Sequence, residues 1–357
     1  MKEKVLRVEA HSETGENARF AASSKPPLVF NEKNFRGKFL ELAEGKHVEP
    51  ALDYVLDCLP KLHNSKMNRK EKMNHLLYMT RQIQQLGTAK YGYEKLLSKV
   101  RQVKNNLKNV TPPENGAIVE LGCGVHDAVA LSVFFYLNGY DKSYAIDIQP
   151  LRNPAYSAIS LYDILANVSM FPERYTFGNT TPEQVLERLA TIDVEMFEKG
   201  DFESGMNNLQ SQISYQVCDI AESEIGQESV AVLFSFAVYE HLMDVTSVNK
   251  KIYNALVPGG YAYHFIDIAD HRSYSRRPEF NPFTFLTEKV GPKSQNRWRK
   301  SEFLDAFAES GFEVIEVAST RMEVPADTRE ALLPKWDAMS DEDIETIKLR
   351  VLLKKPE

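Results

Sequence analysis

The spacing of apolar positions changes character at about residue 117. Upstream, apolar residues recur at helical intervals: Phe35, Phe39 and Leu42, then Ala51, Val55 and Leu59. The same habit continues through Leu76, Leu77, Met79, Ile83 and Leu86, and through Leu96, Leu97, Val100, Val103 and Leu107. This periodicity predicts a helical N-terminal part over residues 1–110. Its first 25 or so residues are polar, end in Ser23-Ser-Lys-Pro-Pro27, and are expected to be loosely ordered. Thr111-Pro-Pro-Glu-Asn-Gly116 then reads as a linker.

Downstream, short β-branched runs alternate with helix-like segments. Strands are expected at Ala117–Leu121, Tyr144–Asp147, Ile213–Asp219, Val230–Phe234 and Tyr261–Ile266, with later ones at Phe312–Val317 and Leu349–Leu353. Helices are expected at Val248–Leu256 and Ser301–Ser310, and Val257-Pro-Gly-Gly260 reads as a turn. Such alternation implies a parallel sheet covered on both faces. Two polar stretches, 172–212 and 320–345, read as insertions in this 111–357 unit. The first opens on the helix-start signal Thr180-Thr-Pro-Glu183 and carries Leu186, Leu189, Ile192 and Phe197 at helical spacing. One amphipathic helix there would serve as a lid or as a homodimer contact.

The first of these strands ends in Glu120-Leu-Gly122-Cys123-Gly124, and the second ends in Asp147. Glycines let backbone approach a ligand closely, and a carboxylate at the tip of the next strand suits two ribose hydroxyls. A nucleoside site follows. A dinucleotide site would want a third glycine and an open helix N-terminus for the pyrophosphate. Here Val125, His126 and Asp127 follow instead, and Asp127 would repel a pyrophosphate. A positively charged cofactor fits better.

Glu120-Leu-Gly-Cys-Gly124, with Asp147 and the order of elements from Ala117 onward, resembles the class I S-adenosylmethionine (SAM)-dependent methyltransferases, including their Pro-Gly-Gly turn before strand five. The resemblance implies a Rossmann-like α/β fold: a seven-stranded, mostly parallel sheet with an antiparallel last strand. It places Glu120, Gly122, Cys123 and Gly124 against the amino-acid end of SAM and Asp147 on the ribose. Asp219 would take the adenine amino group, Ile148 and Ile220 would flank the ring, and Ser235 at the tip of strand four is counted with the cofactor contacts. His126 departs from the family, where many members have glycine.

Composition narrows the setting. No run of about 18 apolar residues exists, and Met1-Lys-Glu-Lys begins no apolar signal segment, so no membrane association is expected. Cys58, Cys123 and Cys218 lack C-x-x-C spacing, which points away from disulfides or a zinc ribbon and towards a cytoplasmic protein. The chain carries a net charge of −7, yet residues 1–110 hold 21 Lys and Arg against 12 Asp and Glu. An acidic catalytic unit argues against nucleic acid as the partner and for a small-molecule acceptor.

Acceptor chemistry is narrowed by Ser235-Phe-Ala-Val238, which lacks the Asn/Asp-Pro-Pro-Tyr/Phe signature of enzymes that methylate planar amino groups. Glu240 and His241 follow strand four, and His264, Asp267 and His271 follow along and after strand five. These groups fall at the carboxyl edge of the sheet, where α/β folds bind ligands. Three readings stay open. One histidine, His241 or His264, acts as general base, oriented by Glu240 or Asp267. Alternatively Glu240, His241 and His264 hold a divalent metal such as Mg²⁺ that lowers the acceptor pKa. In the third, the groups are structural hydrogen-bonding partners. The metal reading rests on resemblance to small-RNA 2′-O-methyltransferases and ubiquinone O-methyltransferases, which carry Glu-x-x-Glu-His where this chain has Ala237 at the first position.

His271-Arg-Ser-Tyr-Ser-Arg-Arg277 and Arg297-Trp-Arg-Lys300 add basic and aromatic groups suited to an anionic or sugar-like acceptor, or alternatively to capping nearby carbonyls. His264 to His271 also resembles a pattern of bacterial methyltransferases in glycan or secondary-metabolite pathways. The expectation is an O-methyltransferase of a polar small molecule. Its rivals are a metal-assisted RNA-end 2′-O-methyltransferase and a SAM-binding regulatory or partner subunit without catalysis.

Overall fold

The computed structural model describes residues 49–85, 92–275 and 279–357. The expectations for Phe35, Phe39, Leu42, Leu86, Arg276 and Arg277, and for the first 25 residues, lie outside them.

Seven strands form one sheet: β1 (Ala117–Leu121), β2 (Ser143–Asp147), β3 (Ile213–Val217), β4 (Val230–Phe236), β5 (Leu256–Asp267), β6 (Glu313–Arg321) and β7 (Thr346–Lys354). Their order is β3-β2-β1-β4-β5-β7-β6. The first five run parallel, and β7 lies antiparallel between β5 and β6. Parallel strands buried on both faces read as near-continuous apolar runs. β1 and β4 fit that pattern, with all of β1 buried. Ile118, Ala145, Phe234 and Tyr263 face one core, and Val119, Ile146, Leu233 and Ala262 face the other.

The first core is closed by the helices Gly92–Leu107, Ala130–Leu137 and Pro154–Met170. Leu96, Val100, Val103 and Leu107 recur every three or four residues and are all buried, as the periodicity predicts. Helices Val245–Ala255 and Lys300–Glu309 cover the other face. Helices Glu49–His63 and Arg69–Gln85 precede them and pack on each other.

Two expectations need correction. Val257-Pro-Gly-Gly260 is no free turn, because β5 starts at Leu256 directly out of the preceding helix. The pairing with β4 then skips from Leu256 to Tyr261, so these residues form a bulge. The single amphipathic helix expected after Thr180 is instead three short ones, Pro182–Leu189, Val194–Glu198 and Phe202–Met206. Thr181 caps the first in a capping box with Gln184. Val185, Ile192, Phe197, Phe202, Met206 and Leu209 are buried in the main core, whereas Leu186 is exposed. This stretch packs into the core, which leaves no free apolar face for a lid.

A smaller core sits past the carboxyl ends of β5 and β6. Phe283, Phe285 and Leu286 pack there against Val324, Trp336, Ile344 and Ile347. Residues 279–299 are thereby held above the sheet edge.

Candidate active site

The turn after β1 explains its own glycines. Gly122 and Cys123 donate backbone N–H bonds to Ile146 O at 2.7 and 3.1 Å, which ties the loop to β2. Gly122 has φ +69, and a Cβ there would lie 2.2 Å from Val238 Cγ2. Gly124, at φ +93, would have no atom within 4 Å of a Cβ, so its backbone faces open space where a ligand can approach. The Asp147 carboxylate accepts from Gly124 N at 2.8 Å and from Gln149 N at 2.9 Å. The cradle therefore fits a nucleoside: an open glycine backbone beside a fixed, partly exposed carboxylate.

Among the other expected contacts, Ile148 is 71% exposed and free to meet a flat ring, whereas Ile220 is buried in the core. Asp219 is exposed and its carboxylate caps Ala221 N at 2.8 Å. Burial pushes the Cys123 thiol up, so it stays protonated and unreactive. Ser235 is a correction. It is wholly buried, and its Oγ lies 2.8 Å from His264 Nδ1, so its side chain faces the core and not the cofactor.

Helix Gly92–Leu107 reaches the same loop, which the sequence did not reveal. Lys99 Nζ lies 2.5 Å from Glu120 Oε1, and Lys95 Nζ lies 3.4 Å from Asp127 Oδ2. Asp127 also accepts a bond from Ser160. Burial drives the Glu120 carboxyl upward, and Lys99 partly counters it. Lys95, Leu96, Lys99, Cys123, Gly124 and His126 are among the residues lining a cavity of about 190 Å³ beside the loop. A broader depression of about 1190 Å³ lies at the opposite edge, bordered by Gly116, Ala117, Lys142 and Ser229. Ligands of parallel sheets bind at the carboxyl edge, so the smaller cavity is the relevant one.

At the carboxyl ends of β4 and β5 the structure gathers Glu240, His241 and His271. Their ligating atoms all lie within 4.8 Å of one another. Glu240 Oε1 is 4.0 Å from His241 Nε2 and 3.8 Å from His271 Nε2. The His241 Nδ1 proton goes to Ser294 O at 2.5 Å, which leaves Nε2 with its lone pair towards the cluster. Gln295 accepts from His271 N at 3.0 Å, and Asn296 N donates to Glu240 O at 2.8 Å, so loop 294–296 holds all three members. Asp267 stands beside them, accepting from Tyr274 Oη at 2.8 Å on each oxygen. Burial, with the Asp267 charge adding to it, pushes Glu240 up to about 8.

His264 does not join this cluster. It is wholly buried, 4.2 Å in centroid distance from Tyr239 and stacked on Phe307 at 5.4 Å. Burial lowers it to about 3, so it stays neutral and cannot serve as base for a solvent-borne acceptor. The metal set expected as Glu240, His241 and His264 is corrected to Glu240, His241 and His271. Side chains alternate along β5, so His264 points into the core.

Of the arginines set aside for an anionic acceptor, those among the described residues, Arg272, Arg297 and Arg299, are engaged by the protein. Arg272 pairs with Asp270 at 2.6 Å and Glu288 at 2.9 Å. Arg297 donates to Phe285 O and Glu288 O. Arg299 is fully buried and donates to Ile268 O, Ile344 O and Thr346 O. These are carbonyl caps and ion pairs that brace the small core.

A family model described as a methyltransferase domain matches residues 184–264. No curated protein matches the chain. Among solved structures, the chain is similar to an S-adenosylmethionine-dependent methyltransferase from Mesorhizobium loti, at 15% identity over 70% of this chain and 96% of that one, with TM-score 0.34. It is also similar to geranyl diphosphate C-methyltransferase from Streptomyces coelicolor A3(2), at 10% identity over 72% of this chain and 77% of the other, with TM-score 0.41. Likenesses at this level assign neither acceptor nor methylated atom. The family-model match makes residues 184–264 similar to a methyltransferase domain, and the sheet order is that of a Rossmann-like α/β fold.

Proposed function

We propose that this methyltransferase acts on an oxygen of a polar small molecule seated at the Glu240–His241–His271 cluster. The observation that carries the reading is His241, whose Nδ1 is committed to Ser294 O while its half-exposed Nε2 faces the cluster. SAM, when bound, supplies a methyl group on a sulfonium. The glycine loop and Asp147 hold the nucleoside, and His241 Nε2 takes the proton from the acceptor hydroxyl. Glu240, pushed up to about 8 by burial, lies 4.0 Å away, and the imidazolium that results favours its ionisation. The bracing arginines are spent on protein partners, which favours a neutral hydroxylated acceptor over an anionic one. Three free thiols support a reducing, cytoplasmic setting, and among the described residues no helix is long and apolar enough to cross a membrane.

A second reading is favoured by what the cluster leaves unmet. Both Glu240 oxygens and His271 Nε2 are buried without a hydrogen-bond partner, a costly arrangement unless something fills it. One carboxylate and two imidazoles suit a divalent cation, held by Glu240, His241 and His271, that would lower the acceptor hydroxyl pKa. An RNA 3′-end belongs with this reading, since its vicinal hydroxyls would chelate.

A screen with isotopically labelled methyl donor over hydroxyl, amine and carbon acceptors tests the proposal, with product analysis locating the label. Label on nitrogen or carbon would overturn it. Turnover that survives chelator supports the His241 base. Turnover lost to chelator, with a Mn²⁺ spectrum that disappears in His271→Ala, supports the cation instead.

A further inference from the structure

The depression of about 1190 Å³ at the amino edge of the sheet takes no part in the site described above, yet three lysines line it: Lys104, Lys108 and Lys142. Among the described residues none of the three is paired with a carboxylate. Lys104 is half-buried, and its Nζ donates to a carbonyl, Arg174 O at 3.2 Å. Burial holds it below the usual lysine range, as expected for an ammonium without a counter-charge. Lys142 lies 5.5 Å over the Tyr144 ring, and Lys108 is exposed. Two carboxylates border the same space, but Asp141 is taken by Arg188 at 2.9 Å, which leaves Glu114.

The uncharged lining is also open to a ligand. Asn115 and Asn179 are exposed and bond no described residue. Gly139 and Gly178 have positive φ and nothing within 4 Å of where a Cβ would stand, so backbone is accessible there. Tyr140 and Phe177, with centroids 6.4 Å apart, add ring surface. Lysines near a helix carboxyl end ordinarily complement its dipole. That accounts for Lys104 and Lys108 at the end of helix Gly92–Leu107, but not for Lys142, which leads into β2.

We infer that this depression is a second ligand site, for a small molecule carrying phosphate, with the phosphate among Lys104, Lys108 and Lys142 and the remainder along Gly139 and Gly178. Lysine meets phosphate as a point charge, and a doubly charged group can satisfy several ammonium groups at once. Asp147 ends β2 at the other edge of the sheet. Binding here therefore neither competes with a nucleoside nor depends on the cofactor reading.

Inorganic pyrophosphate is the probe, titrated by calorimetry into the full chain at about 0.15 M salt, where diffuse surface attraction is screened. One-site binding with Kd below about 1 mM is expected, unchanged within about twofold by S-adenosylhomocysteine. The triple variant Lys104→Gln, Lys108→Gln, Lys142→Gln should bind at least about tenfold more weakly, through lost charge-assisted contacts. Lys66→Gln with Lys70→Gln, at lysines that do not line the depression, should change affinity less than about twofold. Wild-type binding weaker than about 1 mM overturns the proposal. So does competition by S-adenosylhomocysteine, which would place the anion at the nucleoside site, or an equal loss in both variants, which would make the attraction one of net charge. If the triple variant does not fold, hydrogen exchange of wild type decides. Protection by pyrophosphate at residues 138–142 and 176–180 supports the site, and its absence there overturns it.

Discussion

The cofactor loop after β1 and the imidazole–carboxylate cluster after β4 share one rim of one sheet, yet they are assembled differently. Most of the loop's working parts lie within residues 120–147: two glycines with positive φ and one carboxylate bonded to Gly124 N. They act largely through backbone. The cluster draws on Glu240 and His241, then on His271 after β5, and is held by Ser294, Gln295 and Asn296 from a loop braced on the small core. It acts through side chains, and its geometry depends on contacts between residues 24 to 56 positions apart in the chain. A backbone site tolerates changes around it, whereas a side-chain cluster depends on its scaffold.

The sharpest way to break this comparison is to remove chemistry from the cluster alone. His241→Gln is expected to lower kcat about 10²- to 10⁴-fold, the range for losing a general base, with S-adenosylhomocysteine affinity unchanged by calorimetry. A parallel loss of cofactor affinity would show that the two sites are one. Asp147→Ala should do the reverse, weakening S-adenosylhomocysteine about a hundredfold through lost charged hydrogen bonds. Thermal stability should hardly move, because the carboxylate is partly exposed and binds only turn amides.

Gly122→Ala attacks the loop through its backbone. The new Cβ meets Val238 Cγ2 at 2.2 Å and the residue must hold φ +69. A loss of about 2 kcal/mol is expected by denaturant unfolding, partly restored by Val238→Ala, which relieves the clash but not the torsion. No rescue at all would place the whole cost in the torsion.

The smallest effect concerns His264, which lies behind the cluster without belonging to it. Its folded pKa is depressed to about 3 from an ordinary 6.5. Its contribution is therefore intact above pH 6.5 and falls as pH drops towards 3, because the unfolded chain takes up the proton first. Between pH 8 and 5.5 wild type should lose about 1.4 kcal/mol through this group. His264→Gln should flatten that part of the stability–pH curve. A curve of unchanged slope would mean that the ring takes up its proton in the folded chain as readily as in the unfolded one.

Legibility in sequence follows the same division. The strands of the parallel sheet, the glycine loop and Asp147 were readable, because a buried strand is an apolar run and a tight turn near a ligand demands glycine. Helix Gly92–Leu107 was readable as a helix through Leu96, Val100 and Val103. Nothing in its pattern distinguished Lys99 from its other lysines, since only packing turns that lysine onto Glu120. The region after Thr180 misled for a related reason. Its apolar residues support several short helices as well as one long one, and only burial of Val185 and Phe197 against the main core selects among them.

By itself the sequence determined the local chemistry: a parallel α/β sheet, a tight glycine turn after its first strand, and a supply of carboxylates and imidazoles at the carboxyl edge. Tertiary structure decided which of those groups meet. Strand alternation sends His264 into the core between Tyr239 and Phe307. Residues 294–299, anchored by buried Arg299, hold His271 beside Glu240 and fix the tautomer of His241. Backbone preferences act over a few residues and leave a trace in the order of amino acids. The meeting of side chains from distant segments is set by packing, whose outcome depends on the whole folded chain.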